Sequence, residues 1–211
     1  MHCRILLFCI LKLLQLAVFA SGHGSNLEAI YNSIAGGSLK GVELALVISN
    51  NSASGALAFA KGKNISAIHL SLLKCNNDSK LFEKETLRIL ENAKADIIAL
   101  AGYMKKLPDA VLQKYKGRIV NVHPALLPEF GGAGMYGMNV HNAVISSGKK
   151  FSGASVHVVE GEYDSGKIIL QESCPVLEAD TPESLAERIK KIEHKILPQA
   201  IQIIADSISK Q

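Results

Sequence analysis

Asn121 and His123 lie two residues apart in the segment RIVNVHPALLPEFGG, at the end of a run of strand-forming residues, so their side chains share one face. The amide is a neutral donor, and the imidazole is a donor or base near neutral pH. Such a pair suits stabilisation of an oxyanion on a tetrahedral carbon. Pro124 and Pro128 stiffen the chain beyond it and leave the imidazole little room to swing away. A plainer reading stays open at this point, in which Asn121 caps a turn and His123 is a satisfied core histidine. Asp164 falls in a Tyr-Asp-Ser-Gly turn between two predicted strands, where a carboxylate ordinarily serves the turn itself. It gains a chemical role only if the fold brings it beside His123. No GxSxG elbow is present, which argues against a Ser-His-Asp hydrolase. His157, in a strand, and Lys167, after the turn, carry no signature and read as structural.

A second group could hold an anion. In SGHGSNLEAI, Gly22 and Gly24 permit backbone conformations closed to other residues, and Ser25 and Glu28 have capping-box spacing. Free N–H groups and the positive end of a helix would then meet at the carboxyl edge of a sheet, a site for phosphate. The glycines do not follow GxGxxG and no Gly-Lys-Ser/Thr follows, so one phosphate is favoured over a dinucleotide. An ordinary tight βα turn is the alternative.

The elements that must position these groups are legible in the apolar pattern. Strand-length apolar runs at Leu14–Ala20, Val42–Ser49, Ile65–Leu70, Asp96–Ala101 and Arg118–Val122 alternate with helical periods. The helical segments are Ser25–Ile34, Ala53–Lys63, Lys80–Ala93 and Asp109–Lys116. Unbroken apolar strands alternating with helices predict a parallel sheet covered on both faces, an α/β Rossmann-like open sheet with right-handed crossovers. After the Gly-rich stretch His123–Met138 come a short helix from about Asn139, strands at Ser152–Val159 and Lys167–Ser173, and a final helix over Pro182–Ser207 with Thr181 and Ser184 near its cap. A single domain is expected, with a phosphate-binding half over 14–120 and a catalytic half over 121–211.

The 211 residues are 48% hydrophobic and 20% charged, enough for one buried core and too apolar for extended disorder. The net charge of +4 is dispersed, Trp is absent and no Lys/Arg run exists, so nucleic-acid binding is not expected. Cys3, Cys9, Cys75 and Cys174 form no CxxC pair or zinc spacing and read as reduced thiols of a cytoplasmic protein, with no metal. The first twenty residues resemble a signal peptide, but Leu14–Ala20 is read as the first strand, because the glycine loop needs a strand to enter it. Met1 to Leu13 is then an extension ahead of the domain, and no membrane span is expected.

SGHGSNL, LAGYMKKL, NVHPALLPEFGG and GASVHVVEGEYDSGKIILQ occur in order and together resemble the formyltransferase family, in particular the phosphoribosylglycinamide formyltransferases (glycinamide ribonucleotide transformylases) of purine synthesis. The similarity runs from about Leu14 to the last helix. It implies glycinamide ribonucleotide as acceptor, 10-formyltetrahydrofolate as cosubstrate, no metal, and a monomer or homodimer. By the same resemblance, Asn121, His123 and Asp164 would be catalytic, with Asp164 raising the pKa of a protonated His123. Gly24, Ser25 and Asn26 would hold the ribose phosphate, and Lys190 and Glu193 the rest of that substrate. Met104, Lys105, Lys106 and Leu107 would line the folate pocket with Lys80 near the folate tail, while Glu160, Gly161, Glu162, Tyr163 and Asp164 wrap the pteridine. Ala125 replaces a frequent Ser, Lys105-Lys106 replaces a basic-apolar pair, and the loop containing His141 is longer than usual, so His141 receives no role. Methionyl-tRNA formyltransferase, formyltetrahydrofolate hydrolase and a catalytically silent Rossmann-like binding protein are the alternatives. The first two are expected to carry an extra domain.

Overall fold

A computed structural model describes residues 13–210. The expected extension at Met1 to Leu13 lies outside these residues except for Leu13. Strand β1 (Leu14–Phe19) leads through α1 (Ser25–Ala35) to β2 (Val42–Ser49), then α2 (Gly55–Gly62) and β3 (Ser66–His69). A short 3₁₀ turn at Leu73–Cys75 and α3 (Ser79–Asn92) precede β4 (Ile97–Leu100), α4 (Asp109–Lys114) and β5 (Ile119–His123). Helix α5 (Met138–Ser146), strands β6 (Phe151–Val158) and β7 (Ile168–Pro175), and α6 (Pro182–Ser209) complete the chain.

One seven-stranded sheet in the order β3-β2-β1-β4-β5-β6-β7 runs through both expected halves, and the 120/121 boundary falls within β5. Strands β1 to β5 pair in parallel, and β6 and β7 are antiparallel additions. The apolar runs are continuous because both faces are covered. In β1, Leu16 and Val18 face the core shared with α1, α2, α5 and α6, while Ala17 and Phe19 face the core under α3 and α4. Leu14–Phe19 is thus an interior strand of the sheet, between β2 and β4, as the strand reading required, and cleavage after Ala20 would remove it.

The parallel strands turn to opposite sides at β1: β2 and β3 lie to one side, β4 and β5 to the other. Loops leaving β1 and β4 therefore diverge and open a crevice at the carboxyl edge. Strands β3 and β4 are shorter than their apolar runs. At β4 the Asp96 carboxylate accepts the Gln15 N–H at 2.8 Å, and the sheet begins only at Ile97. The expected Thr181/Ser184 cap on α6 is formed as a reciprocal capping box. Asp180, just ahead of it, takes a bidentate ion pair from Arg188 at 2.6 and 2.7 Å.

The capping box expected at Ser25/Glu28 does not form. Helix α1 starts at Ser25 as expected, but its cap is Gly24 in the left-handed region (φ 92°) with no side-chain bond. A Cβ at Gly24 would meet the Ala56 Cα at 2.9 Å, so the helix start packs against α2 too closely for any other residue. The Ser25 and Glu28 side chains consequently leave the first-turn N–H groups uncapped, which favours an anion there.

Candidate active site

Antiparallel pairing of β5 and β6 sets Asn121 directly opposite His157, and the two side chains meet with Asn121 Nδ2 3.1 Å from His157 Nε2. The segment between β6 and β7 then folds back over this pair and delivers Asp164, whose backbone is left-handed (φ 54°). One oxygen, Oδ1, accepts from Asn121 Nδ2 at 3.3 Å and lies 3.4 Å from His157 Nε2. The other, Oδ2, accepts from the Gly132 N–H at 3.0 Å and lies 3.4 Å from His123 Nδ1. Asp164, forty-one residues downstream of His123 by numbering, is therefore beside it, as the catalytic reading required.

The hydrogen bonds assign the histidine tautomers. His123 Nε2 lies 2.8 Å from the Phe130 carbonyl, which can only accept, so the proton sits on Nε2. His157 Nδ1 donates to its neighbour's carbonyl on Val158 at 2.9 Å, leaving Nε2 to accept from Asn121. Burial pushes the His123 pKa down. Asp164 and the Phe130 carbonyl pull it up, as expected for Asp164, but do not overcome burial, and His157 adds to the depression. The net direction for the 4%-exposed His123 side chain is therefore downward, opposite to the rise that Asp164 alone would give. For Asp164, burial alone would raise the carboxyl. The neighbouring His157 and His123 rings and the Gly132 N–H outweigh it and hold the pKa below the usual carboxylate range.

This cluster forms the floor of a cavity of about 480 Å³. Asn26 and Glu193 enter the same cavity from the α1 and α6 side, and Met104 to Leu107 and Gly161 to Tyr163 form its other walls. Gly24 and Ser25 sit at the start of α1 rather than in the lining, Lys190 is paired with Glu187 at 3.4 Å, and Glu160 lies outside the lining. Lys80 is farther away, in a larger cavity of about 980 Å³ across the 103–107 segment, whose Lys105, Lys106 and Leu107 line both spaces. Sequence reading missed His157 and His141 as cavity residues. The signal for His157 was the β5–β6 register, which no local pattern reveals. His141, from α5, is buried with Nδ1 unpartnered, and burial, then the His123 charge, depress its pKa. Asn26 Oδ1 is likewise buried without a partner. Orphaned polar atoms in a cavity wall are satisfied when a polar ligand fills it. Among the described residues no His/Cys/Asp/Glu group has the arrangement of a metal site, and no helix is long and apolar enough to cross a membrane.

Asn26 Nδ2 donates to Glu193 Oε2 at 3.2 Å, yet burial pushes the Glu193 carboxyl up to about 7. The proton that the folded state favours stabilises it fully below pH 4.5, and that contribution is lost as pH rises through 7. Glu193→Gln is therefore expected to gain about 1–3 kcal/mol relative to the parent between pH 4.5 and pH 8. Denaturant melts of both proteins at the two pH values measure this. The depressed histidines contribute the opposite slope but cancel in the comparison. An unchanged difference would refute the buried-carboxylate assignment.

A doubly covered, mostly parallel α/β sheet with a buried Asn–His–Asp cluster over a cavity at its switch point defines a small-molecule site of the open-sheet class. The chain belongs to the formyl transferase family, whose model matches residues 14–201. It is 38% identical over 192 residues to the chloroplastic phosphoribosylglycinamide formyltransferase of Arabidopsis thaliana, covering 91% of this chain and 65% of that one. The chain thus spans just under two thirds of that relative's length. The solved glycinamide ribonucleotide transformylase 1 of Symbiobacterium toebii superposes with a TM-score of 0.85 at 33% identity, covering 93% and 89% of the two chains. A formyltetrahydrofolate deformylase of Pseudomonas syringae shares the fold at 24% identity, with a TM-score of 0.82 over 92% of this chain and 62% of that one.

Proposed function

We propose that the protein transfers the formyl group of 10-formyltetrahydrofolate to the amine of glycinamide ribonucleotide. The observation that carries this reading is the convergence of Asn121, His123 and Asp164 on the cavity that Asn26 and Glu193 enter from the glycine-loop side. The phosphate would rest on the uncapped start of α1 at Gly24 and Ser25, and Lys190, one turn from Glu193, would add a cation. Asn26 and Glu193 would take the polar body of the acceptor. Met104, Leu107 and the 161–164 segment would enclose the pterin, with Lys80, Lys105 and Lys106 toward its acidic tail.

In the reaction the acceptor amine forms a bond to the formyl carbon, the bond from that carbon to N10 breaks, the amine loses a proton and N10 gains one. His123 already carries its proton on Nε2, the form that donates to an oxyanion without prior protonation. To do so it exchanges the Phe130 carbonyl for the formyl oxygen. Phe130 is itself left-handed (φ 55°) and is followed by Gly131 and Gly132. Asn121 supplies the second donor. Asp164 accepts the amine proton, directly or through water, and a proton collecting on His123 Nδ1 is stabilised by the adjacent Oδ2.

The scattered thiols fit a reducing compartment such as the cytoplasm, whereas the Arabidopsis relative is described as chloroplastic. The test follows folate product spectrophotometrically with and without glycinamide ribonucleotide. Product only in the presence of the acceptor is expected. Equal product without it identifies a hydrolase, and substrate binding with no product identifies a silent binder.

A further inference from the structure

The 102–107 segment is a ridge between the two cavities, and its position decides where a donor bound against it meets an acceptor held at the glycine loop. Beyond the buried side chains of Tyr103 and Leu107 and the Lys106–Glu162 ion pair at 3.6 Å, little holds that ridge. Phe19 packs edge-on against Tyr103 with ring centroids 5.2 Å apart, and the backbone N–H groups of Lys105, Lys106 and Leu107 make no hydrogen bond within the described residues. The last polar anchor before this free stretch is Ser21. Its N–H donates to the Gly102 carbonyl at 3.1 Å, and its Oγ accepts the Met104 N–H at 3.2 Å. The same Oγ donates to Asn50 Oδ1 at 2.6 Å. Ser21 also stands between β1 and the glycine loop, whose Gly22 carbonyl accepts from Ala56 N at 3.3 Å. One hydroxyl therefore spends both its donor and its acceptor joining the ends of β1, β2 and β4 at the switch point.

We propose that Ser21 is a positioning residue for both substrates, its hydroxyl setting the phosphate loop and the donor-binding ridge at a fixed separation. This rests on the formyl-transfer reading above. Ser21 touches neither reacting atom, so its loss loosens the placement of both ligands and leaves the catalytic cluster intact.

The test compares the parent with Ser21→Ala and Ser21→Thr, the latter keeping the hydroxyl. KM for glycinamide ribonucleotide and for 10-formyltetrahydrofolate, kcat and the melting temperature are measured on each. Ser21→Ala is expected to raise both KM values about tenfold, the equivalent of roughly one net hydrogen bond, with kcat held within about threefold. Ser21→Thr is expected to restore both. A role confined to stability would lower the melting temperature with both KM values unmoved, and that result overturns the proposal. So does a rise in only one KM, or a threonine variant as impaired as alanine. A parent without acceptor-dependent transfer overturns the functional reading instead, and this inference with it. Normal parental transfer with an unaffected Ser21→Ala overturns the inference alone.

Discussion

Alanine at His123 is expected to lower the turnover of formyl transfer about 10²–10³-fold while both KM values stay within a few-fold of the parent. The size follows from the role. A donor aimed at a developing oxyanion acts in the transition state more than in the ground state, so its loss falls on kcat. His123 is suited to it because the proton already rests on Nε2, oriented by a ring whose other nitrogen faces Asp164 at 3.4 Å. Asn121→Ala is expected to cost a similar factor. The double variant should cost less than the product of the two, because both side chains lean on the same carboxylate. Initial rates at saturating and limiting substrate separate kcat from KM. Near-parental turnover in either single variant would remove that residue from the oxyanion role.

A comparably severe loss is expected from a position that carries no chemistry. Gly166 lies two residues after Asp164, where the chain returns to β7, and an added Cβ would overlap the Val158 carbonyl, reaching its carbon at 2.9 Å. That carbonyl belongs to rigid β6, so the turn must yield. Val158 N–H donates to the Lys167 carbonyl at 2.9 Å at the point that closes the turn, and shifting Gly166 strains this bond. Overpacking of this kind costs about 1–3 kcal/mol. For a chain of this length Gly166→Ala should therefore lower the melting temperature by several degrees. The displaced turn also withdraws Asp164 from His123, His157 and Asn121 together, so kcat is expected to fall at least about 10²-fold. A folded Gly166→Ala protein with parental kcat would show that the turn tolerates the side chain and that Asp164 does not depend on it.

How far these groups could be located from the chain alone differs from one to the next. The pairing of Asn121 with His123 was available because alternation along a strand is a local rule. The antiparallel partner of that strand was not, so His157 read as structural until the β5–β6 register set it opposite Asn121. The cap of α1 was misassigned for a related reason, although its start at Ser25 was read correctly. Ser25 and Glu28 satisfy a local capping pattern, but the close approach of Ala56 makes Gly24 the cap. The direction of the His123 shift was not legible either, because proximity to Asp164 can be guessed from a motif, while desolvation depends on everything packed around the ring.

By itself the sequence determined the alternation of strands and helices, the doubly covered sheet and the residue types gathered at its carboxyl edge, since periodicity and loop chemistry act over a few neighbouring residues. Only the tertiary structure decided that a turn at Asp164 closes on His123, that Glu193 from the last helix bonds Asn26 from the first, and that one hydroxyl at Ser21 ties three loops together. Those contacts join residues 29 to 167 positions apart, and their geometry follows from strand order and helix packing, which no local pattern contains.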